Sequence, residues 1–318
     1  MRIVFLGTPD FAIPTLEALI ANDSMQVVAV VTQPDRASGR GQKLQAPPVK
    51  LVAQKHAIPV FQPEKLSKAK DVVEALRNLE PDLIIMVAFG QILKSDVLSI
   101  PKHGVINLHA SLLPNYRGAA PINWAIINGD TTTGITTMYT EAGLDTGPML
   151  LKQEIPIDIN TNAHELGKQL AQVGAKLIIK TIEQLEKGSL KPQRQDDSKA
   201  TYAPLMDKST GKINWSGSAS SIHNLVRGLI PWPLATTTFR GNPLKLWRTQ
   251  LVSQDVLKEL AQQNATPGTI VVHHKQLYVC CGNNDWLKIL ELQPMNKPRL
   301  AANDWINGTH LQIDEKLL

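Results

Sequence analysis

Uninterrupted apolar runs recur along the first half of the chain, separated by segments with the periodicity of amphipathic helices. The runs cover residues 3–7, 27–31 and 83–88, and a shorter strand is predicted at 104–109. Because they lack the polar alternation of a strand with one wet face, they predict strands buried on both faces. Helices are predicted at 11–21, 48–55, 71–79 and 120–128, and further strands at 134–139 and 149–157. This order predicts an α/β fold with a mostly parallel sheet and helices on both faces.

A long amphipathic helix closes this part of the chain. Asn162 is a suitable N-cap, Glu165 stands three residues later as in a capping box, and Gly188 is a suitable C-terminal stop. The residues that follow are polar and without periodicity, which indicates a linker. The pattern therefore predicts a first domain at 1–188, a linker at 189–210 and a second domain at 211–318.

The second domain has a different pattern of residues. Short strands are predicted at 236–239, 244–247, 269–272, 277–280 and 286–292, with turns and no helices between them. Short strands joined by turns are typical of a small β-barrel, and an OB-like barrel is one such fold that binds nucleic acid.

Composition narrows the class of protein. Of the 318 residues 43% are hydrophobic, yet no apolar run reaches the length of a membrane-spanning helix. The chain begins directly with a strand pattern, so no targeting segment is expected. Cys280 and Cys281 are adjacent and predict neither a disulfide framework nor a zinc site. We expect a soluble cytoplasmic protein with no metal and no membrane partner.

Positive charge is concentrated in two regions. The chain has a net charge of +5; residues 209–318 hold 11 Lys and Arg against 7 Asp and Glu, and residues 34–55 hold five against Asp35 alone. Two basic regions beside a nearly neutral body favour a polyanionic partner such as nucleic acid. The alternative is that a high pI serves solubility alone.

The side chains best suited to catalysis lie between residues 107 and 147. Asn107 and His109 stand two apart on a strand, so both leave one face at its carboxyl end, where open α/β sheets place their sites. Asp145 follows His109 by 36 residues, in a loop flanked by Gly143 and Gly147. An amide donor, an imidazole and a carboxylate can together stabilise an oxyanion and move a proton, as acyl or formyl transfer requires. A hydrogen-bonded polar pair without catalytic function is the alternative interpretation of Asn107 and His109.

Longer strings around these positions resemble a known family. The strings are GTPDFA at 7–12, NLHASLLP at 107–114, YRGAAP at 116–121 and GLDTG at 143–147. Asn-x-His-x-Ser-Leu-Leu-Pro together with Leu-Asp-Thr-Gly is specific to the 10-formyltetrahydrofolate-dependent formyltransferases and hydrolases. The basic string GRGQK at 39–43 and the barrel-like second domain resemble the branch that acts on methionyl-tRNA. The string MYTEA at 138–142 departs from the Met-x-Met-Asp expected there.

The resemblance implies roles for particular residues. The first domain would be a Rossmann-like formyltransferase domain, with Asn107, His109 and Asp145 as its catalytic residues. The donor 10-formyltetrahydrofolate is expected to contact two segments. The first matches the family's folate-binding segment and comprises Ser111, Leu112, Leu113 and Pro114. The second lines the pterin pocket and comprises Phe89, Gly90 and Gln91. The tRNA contacts are expected at Arg36, Arg40 and Lys43, in a loop at 34–50 whose composition fits no secondary structure.

The implied reaction moves a formyl group to the α-amine of methionine carried by initiator tRNA, for bacterial translation initiation, in an enzyme expected to be monomeric. One alternative is a formyltransferase for glycinamide ribonucleotide or a nucleotide amino-sugar, but such small acceptors would give the basic regions no task. A second alternative is a non-catalytic tRNA-binding protein, against which the intact Asn107, His109 and Asp145 argue.

Overall fold

A computed structural model describes residues 1–38, 43–263 and 265–318 and divides the chain into two compact units. Unit 1 comprises Met1–Pro121, Thr133–Ile155 and Gly167–Ala203. Unit 2 comprises Ile122–Thr132, Pro156–Leu166 and Pro204–Leu318. Among the described residues, no helix combines the length and the apolar character needed to cross a bilayer.

Unit 1 is organised by a seven-stranded sheet. The strands up to residue 203 are β1 (Arg2–Gly7), β2 (Gln26–Val31), β3 (Arg36–Ser38), β4 (Lys43–Gln45), β5 (Val60–Phe61), β6 (Leu83–Val87), β7 (Val105–His109), β8 (Arg117–Gly118), β9 (Thr132–Tyr139), β10 (Met149–Pro156) and β11 (Tyr202–Ala203). The sheet order is β10-β9-β7-β6-β1-β2-β5, while β3 pairs with β4 and β8 with β11. Strands β5, β2, β1, β6 and β7 are parallel, and β9 is antiparallel to β7.

Helices alternate with these strands along the chain. They are α1 (Ile13–Ile20), α2 (Pro48–Lys55), α3 (Lys70–Asn78), α4 (Ser95–Leu98), α5 (Pro121–Ile127) and α6 (Ala163–Glu186). The predicted helices and strands of this half are all present, with ends displaced by a few residues. At the start of α6, Asn162 Oδ1 accepts from the Glu165 N–H and Glu165 Oε2 accepts from the Asn162 N–H, which is the predicted capping box.

Both faces of the sheet are covered, as the apolar runs predict. On one face, Val73 of α3 and Val97 of α4 join Leu6, Ile84 and Val105 of the strands in one apolar cluster. The opposite face of β7 and β9 carries Leu108 and Ile135, and α6 approaches them at Gly174. Because side chains alternate along a strand, Asn107 and His109 project on the Val105 side, away from α6.

The segment predicted as a linker is divided at Ala203. Gln193 exchanges two backbone hydrogen bonds with Met149, the Arg117 N–H donates to Thr201 O, and the Ala119 N–H donates to Ala203 O. These bonds join the segment to strands of unit 1, which extends to Ala203. We call residues 187–203, between α6 and the end of this part of unit 1, the strap. Polar composition does not distinguish a free linker from a segment bound in this way, because backbone groups of any residue can make the bonds.

One expectation about the basic loop is wrong. Arg36–Ser38 and Lys43–Gln45 form an antiparallel pair with Ala37 opposite Leu44, although the composition of 34–50 was expected to exclude secondary structure. Each strand has three residues, which is too short for an alternating pattern to show in the sequence.

Unit 2 contains an antiparallel sheet. Its strands are β12 (Ala235–Phe239), β13 (Asn242–Leu251), β14 (Ile270–His273), β15 (Gln276–Cys280), β16 (Trp286–Pro294) and β17 (Leu300–Ala301), in the order β12-β13-β16-β15-β14 with β17 beside β16. Leu317 bridges Phe239 at one edge, and Lys316 bridges Thr269 next to the other edge. The end of the chain therefore connects the two edges and covers them, as closure of a barrel does.

Helices also occur after residue 211, where none was predicted. They are α7 (Ala219–Gly228), α8 (Gln254–Leu260) and α9 (Ala302–Thr309). In α7 the Ser218 side chain accepts from the Ser221 N–H, and Ala219, Ile222 and Val226 form a buried stripe. The spacing of these three residues is the periodicity of a helix with one buried face, so the sequence does carry a signal for α7. The predicted class, a mostly parallel α/β sheet followed by a smaller antiparallel β domain, is confirmed.

The close approach of α6 to the sheet predicts an effect of Gly174→Ala. A Cβ at position 174 would lie 2.6 Å from Leu108 Cδ2 and 2.7 Å from Ile135 Cδ1, two buried side chains. We expect the free energy of unfolding to fall by about 1–3 kcal/mol through overpacking, although Ala favours a helix over Gly by about 1 kcal/mol. Urea denaturation measures the change.

Gly308→Ala in α9 is the matched control, because nothing lies within 4 Å of a Cβ at that position. This variant should be as stable as the wild type or slightly more stable. Equal urea midpoints for Gly174→Ala and the wild type would contradict the packing described for α6.

Candidate functional site

Strand β7 places Asn107 and His109 at the carboxyl end of the parallel strands. Asn107 lies between Met86 of β6 and Met138 of β9, and His109 is opposite Thr136. Both side chains are buried, with 7% and 6% of their surface exposed. Because buried polar groups need partners, their position in an apolar sheet indicates a polar site at this edge.

Asp145 meets both of these side chains. Its loop follows β9, and its carboxylate lies 3.5 Å (Oδ1) from Asn107 Nδ2 and 3.6 Å (Oδ2) from His109 Nδ1. The Gly118 N–H donates to Asp145 Oδ2 at 2.9 Å. The three residues that were singled out from the sequence therefore come together in unit 1.

The hydrogen bonds of His109 define its tautomer. His109 Nε2 lies 2.9 Å from Tyr116 O, which can only accept, so Nε2 carries a proton. Nδ1, which faces Asp145, then carries a second proton only when the imidazole is cationic. The Asp145 carboxylate lies beside Nδ1, where it can orient the ring, and an imidazole next to a carboxylate is a common arrangement for general acid–base catalysis.

The loop that carries Asp145 is closed tightly at its base. The Tyr139 N–H donates to Pro148 O at 2.9 Å, and a Cβ at Gly147 would lie 1.9 Å from Tyr139 O. A residue with a side chain cannot occupy position 147 without opening the loop. Asp145 has a φ of +52°, a left-handed conformation that costs energy outside glycine and recurs at functional sites.

The predicted folate-binding segment at 111–114 follows β7 directly. Thr136 Oγ1, fully buried on β9, donates to Ser111 O at 2.6 Å and accepts from the Leu113 N–H at 3.2 Å. Ser111 Oγ donates to Asn115 O at 2.5 Å. Leu113 packs with Met138 and Met149, while Leu112 and Pro114 are partly exposed. These hydrogen bonds hold residues 111–114 in place directly after the strand that carries Asn107 and His109.

The second predicted donor segment follows β6, the neighbour of β7. Phe89 is buried, and its carbonyl accepts from Thr8 Oγ1 and Gln33 Nε2. The side-chain amide of Gln91 makes hydrogen bonds with the backbone: Oε1 accepts from the Leu66 N–H at 2.7 Å, and Nε2 donates to Pro63 O at 3.2 Å. Gly90 is exposed with a φ of +79°. The side chain of Gln91 therefore fixes the chain at 63–66.

The basic residues of the 34–50 loop differ in their partners. Arg36 pairs with Glu64 at 3.4 Å, and because both side chains are mostly exposed the pair is weak. Lys43 is exposed on β4. Lys50 contacts the Asp35 carboxylate at 2.8 Å, and hydrogen bonds from Gln62 and Lys50 hold the pKa of Asp35 below its ordinary value. Arg40 lies outside the described residues.

Sequence reasoning missed the groups that hold the three central side chains and the chain segments around them. They are the Tyr116 carbonyl, the Gly118 N–H, the Thr136 hydroxyl and the side chains of Arg117 and Gln195. The YRGAAP string was a signal for Tyr116, Arg117 and Gly118. Gln195 stands in a polar stretch without a pattern, so the sequence offered no signal for it.

Two polar features lie in unit 2, apart from the predicted site residues. Among the described residues, Glu259, His273 and His274 are the group whose ligand atoms fall within 4.8 Å of one another, and it could hold a metal ion. A cavity of about 430 Å³ has three basic and three acidic side chains in its wall: Arg227, Arg248, Arg299, Asp158, Glu165 and Glu291. Neither feature contains a residue predicted from the sequence as a site.

Two protein families match the chain. The family described as formyl transferase matches residues 1–182, and the family described as formyl transferase, C-terminal domain, matches residues 205–310. The methionyl-tRNA formyltransferase of Geobacter metallireducens is 49% identical over 313 residues, which cover 98% of this chain and 97% of that protein. The methionyl-tRNA formyltransferase of Trichlorobacter lovleyi is 48% identical over 318 residues, covering 100% and 97% of the two chains.

A solved structure shares the fold. The sugar 3N-formyl transferase WlaRD, crystallised with dTDP and 5-N-formyl-THF, superposes with a TM-score of 0.67 at 19% identity. The superposition covers 94% of this chain and 99% of that one. At this identity the likeness concerns the fold alone.

Proposed function

The chain belongs to the formyl transferase family, and from that premise we propose that it transfers the formyl group of 10-formyltetrahydrofolate to the free α-amino group of methionine esterified to initiator tRNA. The observation that carries the proposal is the identity of 47–49% over essentially the whole chain with proteins named methionyl-tRNA formyltransferase. The reaction serves translation initiation, so the proposal places the protein, as a monomer, in the bacterial cytoplasm.

The proposed chemistry uses Asn107, His109 and Asp145 as one unit. An α-amine has a pKa of about 7.7–8.0, so neutral amine is available to attack the formyl carbon. The amide of Asn107 donates to the oxyanion that develops on the formyl oxygen, and His109 beside it helps to stabilise that charge. Asp145 orients His109 and takes part in moving the amine proton to N10 as the bond from N10 to the formyl carbon breaks. Their mutual distances of 3.5 and 3.6 Å support this assignment.

The donor is proposed to bind at the carboxyl ends of β6 and β7. Ser111, Leu112, Leu113 and Pro114 would form one wall and the chain at 89–91 the other, since each segment directly follows one of two adjacent strands. The exposed Gly90 leaves room for a ring system to approach the backbone. The named ligand 5-N-formyl-THF of the sugar formyltransferase supports a folate as donor.

The acceptor is proposed to be held by basic residues. Arg36, Arg40 and Lys43 would contact the tRNA near its acceptor end, and residues 211–318 would provide a second contact surface. The excess of basic residues at 209–318 supports this, because a phosphate backbone attracts such surfaces and a small acceptor does not need them.

A panel of acceptors tests the function. With 10-formyltetrahydrofolate as donor, the purified protein should formylate initiator Met-tRNA, detected by acid gel electrophoresis of the aminoacyl-tRNA. Glycinamide ribonucleotide and a nucleotide amino-sugar should not react at measurable rates. Formylation of either small acceptor without formylation of the tRNA would overturn the proposal.

Substitutions of the three central residues test the chemistry. Asn107→Ala, His109→Ala and Asp145→Ala should each lower the rate of single-turnover formylation by about 10² or more. Because the residues act as one unit, the double variants should lose far less than the product of the single losses. A variant that turns over like the wild type would remove its residue from the mechanism.

The basic loop is tested by Arg36→Ala, Arg40→Ala and Lys43→Ala. Each should lower kcat/KM for initiator Met-tRNA and leave the affinity for the folate donor unchanged. A residue that contacts a phosphate should also flatten the salt dependence of tRNA binding by about one ion. Lys176→Ala, which removes an exposed charge from α6, is the matched control. Identical salt dependences for the loop variants and this control would contradict a role in tRNA binding.

A further inference from the structure

Gln195 connects the strap after α6 to the loop that carries Asp145. Its Nε2 donates to Asp145 O at 2.7 Å and to Gly147 O at 2.8 Å. Its Oε1 accepts from Arg117 Nε at 3.0 Å and Nη2 at 2.9 Å. Both protons of the amide nitrogen and both lone pairs of the oxygen are therefore used. We propose that Gln195 is a positioning residue that holds the Asp145 carboxylate against His109.

Gln195 binds the backbone at Asp145, whose conformation is strained, and again two residues later at Gly147. Asp145 is in the left-handed region, at a φ of +52°, and such a residue persists when its surroundings over-determine it. The two carbonyls bound by Gln195 belong to Asp145 itself and to Gly147, where the loop returns to its base. One amide group thus fixes the backbone at the residue whose side chain faces His109 and at the end of the same loop.

Arg117 completes a closed cycle of hydrogen bonds. Its guanidinium donates to Gln195 Oε1, and the next residue, Gly118, donates its N–H to Asp145 Oδ2 at 2.9 Å. The cycle runs from the Asp145 carboxylate to Gly118, along the chain to Arg117, across to Gln195 and back to Asp145 O. Because it contains both the carboxylate and the backbone of Asp145, it determines the side-chain torsions as well as the place of the loop.

The surroundings of Arg117 make the cycle rigid. Arg117 is 2% exposed, its Nη2 also donates to Asp197 Oδ1 at 2.7 Å, and its N–H donates to Thr201 O at 2.9 Å. Its partners therefore come from the same strap as Gln195. The strap between α6 and Ala203 is, by this inference, part of the catalytic apparatus. The inference rests on the proposed function, in which Asp145 acts through His109.

Two substitutions at position 195 separate the roles of the amide. Gln195→Met keeps the length and removes every hydrogen bond. Gln195→Glu keeps an acceptor for Arg117 and removes both donors to the loop. If Gln195→Met fails to fold, Gln195→Glu still tests the contacts with the loop. We expect both to lower the single-turnover rate of Met-tRNA formylation by about 10-fold or more, with KM for the donor and for the tRNA changed less than about twofold.

Gln193→Met is the matched control. Gln193 lies two residues earlier in the strap, its side chain is exposed, and its contacts with Met149 are made by the backbone, which the substitution keeps. This variant should react at the wild-type rate. A loss in Gln193→Met equal to that in Gln195→Glu would assign the effect to the strap in general and overturn the specific role of Gln195.

A second readout distinguishes positioning from stability. In an Asp145→Ala background, Gln195→Glu should lower the remaining rate by less than about twofold, because a positioning residue has nothing left to position. The same factor in both backgrounds would show a structural role only and overturn the inference, as would Gln195→Glu and Gln195→Met enzymes with wild-type rates. The wild type provides the reference: if it does not formylate Met-tRNA, the proposed function fails together with this role, whereas an active wild type with indifferent Gln195 variants removes Gln195 alone.

Discussion

The bond from the Gly118 N–H to Asp145 Oδ2 is the interaction around which the site in unit 1 is arranged. A backbone donor orients a carboxylate without neutralising it, so the negative charge stays available to other groups. In the part of the chain that the structure describes, the ionisable partner found near Asp145 is His109, at 3.6 Å. The carboxylate therefore acts on the imidazole beside it and on the amide of Asn107, and no lysine or arginine among the described residues forms an ion pair with it.

This arrangement needs backbone that departs from regular structure. Asp145 and Tyr116 both have positive φ values, +52° and +59°, and each supplies a group to His109, the carboxylate in one case and a carbonyl in the other. Local strain of this kind costs on the order of 1–3 kcal/mol per residue and is tolerated where the surrounding fold enforces it. Here the fold enforces these conformations through the closed base of the loop at Gly147 and through the sheet in which β7 is paired on both sides.

The fold by itself does not choose the acceptor. A sheet that presents an amide, an imidazole and a carboxylate at the ends of its strands can support formyl transfer to more than one kind of amine. Under the proposed function, the basic residues at 34–55 and 209–318 would favour a tRNA over a small acceptor by long-range attraction, which depends on net charge more than on local geometry.

The sequence by itself determined the order of elements, the buried strands and the three central residues. Apolar runs and helical periodicity are local properties, and the spacing of Asn107 and His109 on one strand requires no knowledge of the rest of the fold. The three-residue strands of the basic loop and the helices of unit 2 escaped because their local signals are short or mixed with strand signals. The tertiary structure alone decided that Gln195, from an unpatterned polar stretch, lies against the Asp145 loop 50 residues away in the chain. The physical reason is that this contact joins a side-chain amide to backbone carbonyls, and because every residue carries a carbonyl, no residue type in the loop marks the partner in advance.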